Sequence, residues 1–235
     1  MQKKTMDIPI SKIKPAYPLP STPTQEEPAI QSTINALNLC PHPEGGYFCE
    51  TDRDPRRVAN PYQQPIISVT DTDTDTDTDP ESRSASSSIL YLLTPQRPLG
   101  AFHRNQSRTV HVWQSGRGRY VVIHVDEVSR DHSRGCSAEK AKARVETFVV
   151  GPGVEVGERV QWVVEGGKYK ASFLLPDEPE GETSSGLLIS EVVFPGFEFA
   201  DHDFLRKEQM EELLTAEEVQ ELSWMLKAEP NGPSK

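Results

Sequence analysis

Short apolar runs recur between turn residues from Ser88 to Phe199. Seven of them are rich in Val, Ile, Phe and Tyr, and they span residues 88–93, 109–113, 119–125, 144–150, 159–164, 169–175 and 186–194. Runs of this length between glycine and proline turns predict the strands of an all-β sandwich or barrel. No long helical period lies between the runs, so a fold of alternating strands and helices is disfavoured.

Helical patterns flank the predicted strands. Apolar residues spaced by four and three positions predict a short helix within residues 26–39, which ends before two prolines. The chain becomes helical again after Phe199, where Thr215 and Glu218 have the spacing of a capping box. We therefore expect an all-β core with a short N-terminal helix and a C-terminal helical tail.

The composition divides the chain into one folded unit and polar appendages. Residues 1–27 are rich in proline, which predicts a disordered arm. Residues 28–205 form the predicted domain, and residues 206–235 form its C-terminal helix and tail. Within the domain, residues 70–83 contain an Asp–Thr repeat that lacks the turn glycine and bidentate glutamate of a calcium loop. We interpret this segment as an acidic surface insertion of low complexity.

The charge of the chain excludes some partners. The formal net charge of −11 includes −6 in residues 71–81 and −7 in residues 198–221, which leaves the rest near neutrality. With no basic stripe, we expect no nucleic-acid partner. With no apolar run of about 18 residues, we expect no membrane span. The sparse cysteines Cys40, Cys49 and Cys136 indicate free thiols and a cytoplasmic protein.

The segment His42–Arg53 is the most specific motif in the chain. Its paired glycines, Gly45 and Gly46, permit backbone conformations that other residues rarely adopt. Strand alternation beyond them places Tyr47 and Arg53 on one face and Glu50 on the other. A carboxylate near a cation is the arrangement expected for acid–base chemistry, and it is equally that of a structural ion pair.

Four motifs together resemble a cupin subfamily of unknown function whose fold is similar to that of deoxysugar-nucleotide epimerases. They are HPEGGYFCET (42–51), SSSILYLLT (86–94), FHR (102–104) and VVFPGFEF (192–199). The resemblance covers about residues 28–205. It implies a double-stranded β-helix (a jelly roll), commonly dimeric, with a small-molecule pocket inside the barrel. The number of predicted strands independently favours the same architecture.

The resemblance also implies where a metal would be bound, and this chain departs from that pattern. Metal-binding cupins have two histidines one residue apart, then a glutamate and later a third histidine. Ala101, His103, Thr109 and Lys170 stand near these positions, so one of four ligands remains. A catalytic metal normally has about three protein ligands, so we expect no cofactor. A divalent metal stays possible on a rearranged site with His103 and His111, and its ligands are unknown.

Without a metal, the chemistry falls to acid–base groups. We expect His103 to be catalytic because the pKa of an unperturbed imidazole lies near neutrality, with Tyr47 or Glu50 as its partner. Arg53 or Lys170 could hold an anionic group of the substrate. Phe102 and His111 complete the predicted substrate-binding set. We expect His124 to be a core histidine, and His132 and His202 to face water.

Three functions stay open at this point. The first is an isomerase or epimerase acting on a sugar derivative or carbonyl-bearing metabolite in the barrel. The second is a barrel that binds a small ligand without chemistry, and the third is a metal-dependent oxygenase or oxidoreductase. In each case the partner is a small molecule. Exposed strand edges favour pairing of two copies, so we also expect a homodimer.

Overall fold

The computed structural model describes residues 7–19, 25–62, 82–128 and 142–228. The strands are β1 Cys40–Pro41, β2 Tyr47–Arg53, β3 Arg57–Ala59, β4 Ser82–Ser84, β5 Ser87–Leu93, β6 Leu99–Arg104, β7 Arg108–Ser115, β8 Gly118–His124, β9 Arg144–Val150, β10 Gln161–Val164, β11 Tyr169–Leu174, β12 Leu187–Phe194 and β13 Asp203–Phe204. The α-helices are α1 Pro28–Ala36, α2 Lys207–Leu213 and α3 Ala216–Leu222. All seven predicted apolar runs form strands, and the run after the paired glycines forms β2.

The strands form two antiparallel sheets that face each other. The six-stranded sheet has the order β1-β2-β5-β12-β7-β10, and the five-stranded sheet has the order β13-β6-β11-β8-β9. A separate hairpin pairs β3 with β4. Aromatic side chains from both sheets, including Tyr91, Tyr120, Phe148 and Trp162, pack together between them. This architecture confirms the predicted all-β jelly roll with short helices.

The outer face of each sheet is covered by segments from the ends of the chain. On the six-stranded sheet, Ile30 and Ile34 of α1 pack with Leu92. On the five-stranded sheet, Met210 of α2 and Leu222 of α3 belong to a buried cluster. The capping box predicted at the start of α3 is present, with the Thr215 hydroxyl accepting from the backbone N–H of Glu218. The helices therefore cover the outer faces of the two sheets.

Part of the predicted disordered arm packs on the barrel instead. Ile10 and Ile13 are buried in the cluster that covers the five-stranded sheet, and Asp7 pairs with Arg119. Two isoleucines in a proline-rich segment give enough apolar area for this docking, so the prediction is wrong for residues 7–19. Residues 1–6 and 20–24 of the arm lie outside the described residues, as do most of the Asp–Thr insertion, His132 and Cys136.

Strand β6 was not among the predicted apolar runs. Pro98 and Gly100 interrupt its apolar pattern, yet β11 pairs with it on one side and β13 on the other. Tertiary pairing thus overrides a weak local signal. This strand positions His103. No helix among the described residues is long and apolar enough to cross a membrane.

Candidate functional site

Polar side chains from the two sheets meet inside the barrel. Residues that lie directly opposite one another in antiparallel strands share a face of the sheet. In the six-stranded sheet, such a row contains Glu50, Ile89, Glu191, His111 and Trp162. In the five-stranded sheet, His103 lies opposite Lys170. The two rows bring acidic and basic groups together across the interior.

Lys170 connects the two rows. Its ammonium group donates to Glu191 Oε2 at 2.8 Å and lies 2.9 Å from His111 Nε2, and all three residues are buried. Burial alone would raise the pKa of Glu191, but Lys170 and His111 outweigh it and hold that pKa well below its usual range. Burial, together with the Lys170 charge, lowers the pKa of His111. Glu191 is therefore an ionised carboxylate inside the barrel.

A tight turn between β1 and β2 carries Glu44 to the end of β6. Gly45 has a φ of 116°, and a Cβ atom there would lie 1.9 Å from the carbonyl oxygen of Leu99. Only glycine allows this close approach with a positive φ. The backbone N–H of Ala101 donates to the Glu44 carbonyl oxygen at 2.8 Å, and the Tyr91 hydroxyl donates to the Gly45 carbonyl oxygen at 2.9 Å.

The Glu44 carboxylate lies between two imidazole rings. Its Oε1 is 2.8 Å from His202 Nε2, and its Oε2 is 3.2 Å from His103 Nε2. The two rings stack with centroids 5.4 Å apart. His202 reaches this position because β13, which follows it directly, pairs with β6. Three segments distant in sequence therefore converge on one carboxylate.

The hydrogen bonds fix the proton positions on His103. Its Nδ1 lies 2.9 Å from the Ala101 carbonyl oxygen, which can only accept, so Nδ1 carries a proton. Burial lowers the pKa of His103 to about 4, although the Glu44 charge opposes this shift. Burial would raise the pKa of Glu44, but His103 and His202 lower it to about 2. At neutral pH the unprotonated Nε2 of His103 thus faces an ionised carboxylate.

A cavity of about 160 Å³ opens beside these groups. Its described lining combines carboxylates, aromatic rings and aliphatic side chains: His42, Glu44, Phe48, Glu50, Arg53, Ser87, Ile89, Asn105, Glu191, Val193, Phe197, Glu198 and Phe199. A cavity of ~150 Å³ accommodates a benzene-sized molecule. The space therefore suits a ligand about the size of one six-membered ring.

A β-bulge in β2 determines which residues of the motif reach the cavity. The pairing of β2 with β5 shifts between Glu50 and Asp52, so Thr51 is an extra residue. The shift moves Arg53 onto the same face as Glu50, which corrects the prediction of opposite faces. The Arg53 guanidinium donates twice to the Glu50 carboxylate, at 3.0 and 2.7 Å, and once to the Phe197 carbonyl oxygen.

The comparison with known proteins agrees with this geometry. The model of the family described as "Cupin superfamily (DUF985)" matches residues 31–205. The chain belongs to this family of cupins. The match includes β2, β6, β12 and the turn that carries Glu44. The resemblance that the sequence motifs indicate is therefore confirmed.

Related proteins span nearly the whole cupin. "Uncharacterized protein YML079W" from Saccharomyces cerevisiae is 39% identical over 209 residues, which cover 88% of this chain and 89% of the yeast protein. Among solved structures, a hypothetical protein from Leishmania major has a TM-score of 0.62 at 25% identity and covers 84% of this chain and 98% of its own. Protein SO0799 from Shewanella oneidensis has a TM-score of 0.56 at 22% identity, with coverage of 85% and 98%. These similarities support a common fold.

The structure brings some predicted site residues of the cupin to the cavity and leaves others elsewhere. Glu50 and Arg53 line the cavity. Lys170 and His111 lie inside the barrel with Glu191. His103 is inside the barrel as expected, but it contacts Glu44 and is not among the described residues that line the cavity.

Tyr47 and Phe102 lie away from the cavity. The Tyr47 hydroxyl donates to Glu26 at 3.0 Å, and its ring packs with the α1 cluster on the outer face of the six-stranded sheet. Phe102 is buried in the cluster on the outer face of the five-stranded sheet. Each is next in sequence to a residue that faces inward, so neither side chain points into the barrel.

The interior also contains polar residues that the sequence analysis did not select. Glu44 stands in the HPEGG motif, and its position directly before the paired glycines could have indicated it. Glu191 lies in an apolar run. It is two residues from buried positions on either side, so it lies on the same face of the strand and its carboxylate points inward. His202 was expected to face water because it stands between two aspartates, yet its side chain is 10% exposed.

The metal ligands of other cupins do not fit this chain. Ala101 and Thr109 offer no imidazole or carboxylate, and the Lys170 ammonium would repel a cation at the third position. His111, considered for a rearranged site, is engaged with Lys170 instead. We therefore assign no reaction step to a metal at those positions. His124 is a buried histidine satisfied by Glu146 and Lys168, as expected.

Proposed function

We propose that this cupin is an isomerase or epimerase that moves a proton on a carbonyl-bearing metabolite held in the cavity. One observation carries the proposal. Glu191 lines the cavity and bonds Lys170 through Oε2, while its Oε1 has no hydrogen-bond partner among the described residues. An ionised carboxylate with one oxygen free of hydrogen bonds beside a ligand-sized space is placed to accept a proton, and because its low pKa makes it a weak base, its contribution comes from its position.

The proposed reaction needs a proton acceptor and a hydrogen-bond donor. Glu191 takes a proton from the carbon next to the carbonyl, the electron pair of that C–H bond moves toward the carbonyl oxygen, and the proton returns to the same or a neighbouring carbon. His42 is suited to donate to that oxygen. Its Nδ1 accepts from the Glu44 backbone N–H at 3.2 Å, so in the neutral ring Nε2 carries the proton. Burial lowers the pKa of His42 and favours this neutral form.

The cavity lining supports a neutral substrate rich in hydroxyl groups. Glu50 is already paired with Arg53, and Glu191 with Lys170, so the lining offers acceptors with their charge compensated. Phe48 and Phe197 supply aromatic surface, and Phe199 is 71% exposed. A sugar-like ring could place an apolar face on the aromatic groups and donate hydroxyl hydrogens to the carboxylates. His103 would act through Glu44 as a positioning residue.

Exchange of carbon-bound hydrogen tests the proposal. Ligands are first found by thermal shift with sugars, nucleotide sugars and small carbonyl compounds. Each ligand is then incubated with the protein in D2O, and NMR follows loss of the proton next to the carbonyl. We expect protein-dependent exchange, and a loss of about 100-fold or more in E191Q, because general-base groups contribute roughly 10²–10⁴-fold.

E146Q is the matched control for E191Q. Glu146 is also a strand glutamate paired with basic groups, Arg159 among them, but it is not among the described residues that line the cavity. Exchange at the wild-type rate in E191Q, with both variants folded by circular dichroism, would contradict the proposal.

A non-catalytic binding barrel is the second candidate. It is favoured by the same charge compensation, because carboxylates already bound by Arg53 and Lys170 can hold a ligand without reacting. Ligands that shift the melting temperature without any exchange would identify this function.

We further propose a homodimer, tested by light scattering at micromolar concentration, and a cytoplasmic location, which the free thiols of Cys40 and Cys49 support.

A further inference from the structure

Three potential metal ligands converge beside the cavity, which one of them, Glu44, lines. Glu44, His103 and His202 each offer one ligand atom, and these atoms all lie within 4.8 Å of one another. The His103 Nε2–Glu44 Oε2 distance of 3.2 Å is close to what two ligands of one ion show, since bonds of about 2.0–2.2 Å separate ligand atoms by roughly 3–3.6 Å. The proposed proton transfer by Glu191 and His42 does not use these three groups as reacting atoms.

The hydrogen bonding of His103 presents one ring nitrogen to Glu44. Its Nδ1 donates to the Ala101 carbonyl oxygen, so Nε2, which lies 3.2 Å from Glu44 Oε2, is the nitrogen available to bind an ion. A histidine whose outer nitrogen donates to a backbone carbonyl is also the usual arrangement of a metal-bound imidazole.

Comparison with the other interior carboxylates strengthens this point. Glu191 has Lys170 at 2.8 Å, and Glu146 has Arg159 at 2.8 Å. Within salt-bridge distance of Glu44, the described residues offer imidazoles alone. Of these three carboxylates, Glu44 is the one that imidazoles alone approach within salt-bridge distance among the described residues.

We propose that Glu44, His103 and His202 bind one divalent transition-metal ion, with zinc or iron(II) as the matching chemistry. Two histidines and one carboxylate suit these ions and leave coordination positions open. Because Glu44 also lines the cavity, the proposed site borders the ligand space. Only His103 stands at a metal-ligand position of other cupins, so the site is displaced toward the HPEGG turn. When bound, such an ion would polarise a carbonyl oxygen of the ligand.

Metal binding to the untagged full chain tests this site. Protein freed of metal by a chelator and then dialysed is titrated with Zn²⁺ by calorimetry, and with Co²⁺ by visible d–d absorption. We expect one equivalent to bind and to raise the melting temperature. E44Q and H202Q should each weaken binding by more than about 100-fold, beyond the loss typical of an outer-shell residue.

H124Q is the matched control for the histidine variants. His124 is as buried as His103, at 7% and 6% exposure, and lies 3.0 Å from a glutamate, but its site also holds Lys168 and Arg159. We expect H124Q to bind metal with wild-type affinity. Unchanged affinity in a folded H202Q, or no binding by the wild type, would overturn the proposal.

NMR of the histidine rings gives a second decisive result. If both nitrogens of the His103 ring carry protons in the presence of Zn²⁺, then Nε2 donates a hydrogen bond to Glu44 and does not bind the ion. The proposed metal site would then be wrong. None of these measurements uses turnover. A failure of the proposed isomerase therefore leaves them unaffected, and a failure of metal binding leaves the exchange test intact.

Discussion

Glu44 and Glu191 are two carboxylates that line one cavity, and their partners decide what each can do. Glu191 is compensated by a lysine and keeps one oxygen free for a ligand. Glu44 has both oxygens directed at imidazoles. These different partners are why we propose the same side chain as a proton acceptor at Glu191 and as an ion ligand at Glu44.

Ionisation of Glu44 and His103 should make the free energy of unfolding depend on pH. In the fold the pKa of His103 is about 4, against an ordinary 6.5, so the unfolded chain binds this proton first as pH falls from 6.5 to 4. The pKa of Glu44 is about 2, against an ordinary 4.5, so its contribution is lost as pH falls from 4.5 to 2. Each of these two pH ranges corresponds to a change of roughly 3 kcal/mol in the free energy of unfolding.

Urea denaturation in chelator-containing buffer checks this prediction. The free energy of unfolding of the wild type should fall continuously from pH 6.5 to pH 4. That of H103Q should fall less steeply, because this variant lacks one titrating group. His42 and His111, whose pKa values burial also lowers, maintain part of the slope in the variant. A pH dependence in H103Q that runs parallel to the wild type would show that this imidazole is not held neutral.

Removal of the Lys170 ammonium should be costly because it leaves Glu191 buried without its cation. Breaking a buried pair in this way costs about 3–5 kcal/mol, so K170M should lower the free energy of unfolding by that amount. The double variant K170M/E191L should recover part of the loss, since it removes the stranded charge. A loss in the double variant equal to the sum of both single losses would show that the pair is not coupled.

Residue positions were only partly predictable from the sequence. Periodicity identified the strands that carry Lys170 and His111, and the motif resemblance placed His103 inside the barrel. The face of Tyr47 could not be derived, because its strand has outward and inward residues of similar character. The position of Arg53 depends on a β-bulge at Thr51, and no local sequence pattern predicts this bulge.

At the scale of elements, the turn before β2 and strand β6 form one unit. The turn is tied to β6 by the Ala101 N–H and by the absence of a side chain at Gly45. Apolar periodicity predicted the neighbouring strands well, since each is a long, buried run. It missed β6, whose six residues begin next to a proline and include a glycine. Pairing partners distant in sequence, not local propensity, hold this strand.

Substitution of Gly45 by alanine should disturb the site more than an equivalent change elsewhere. Gly45 and Gly167 both have positive φ, at 116° and 80°, but a Cβ atom at Gly167 would meet nothing within 4 Å. Both substitutions carry the backbone cost of about 1–3 kcal/mol. G45A should cost clearly more, and it should also weaken Co²⁺ binding. Equal melting temperatures for G45A and G167A would show that the turn is not held against β6.

At the scale of the whole molecule, the jelly roll has a filled part and a hollow part. Tyr120, Phe148 and Trp162 pack between the sheets, and His111 stacks on Trp162 at 5.1 Å where the packed rings meet the polar groups. The fold class followed from the number of strands. The hollow was expected only from the family resemblance. The strand pattern could not predict its lining, because that lining depends on segments that meet only after both sheets have closed, such as the turn at Glu44.

Methyl NMR tests most directly whether this hollow is where a small molecule binds. Ile89 and Val193 line the cavity, whereas Ile123 is buried in the cluster on the outer face of the five-stranded sheet. When a ligand from the thermal-shift screen is added, we predict shifts in the methyl resonances of Ile89 and Val193 and none at Ile123. Ligand binding that leaves Ile89 and Val193 unchanged would contradict the account.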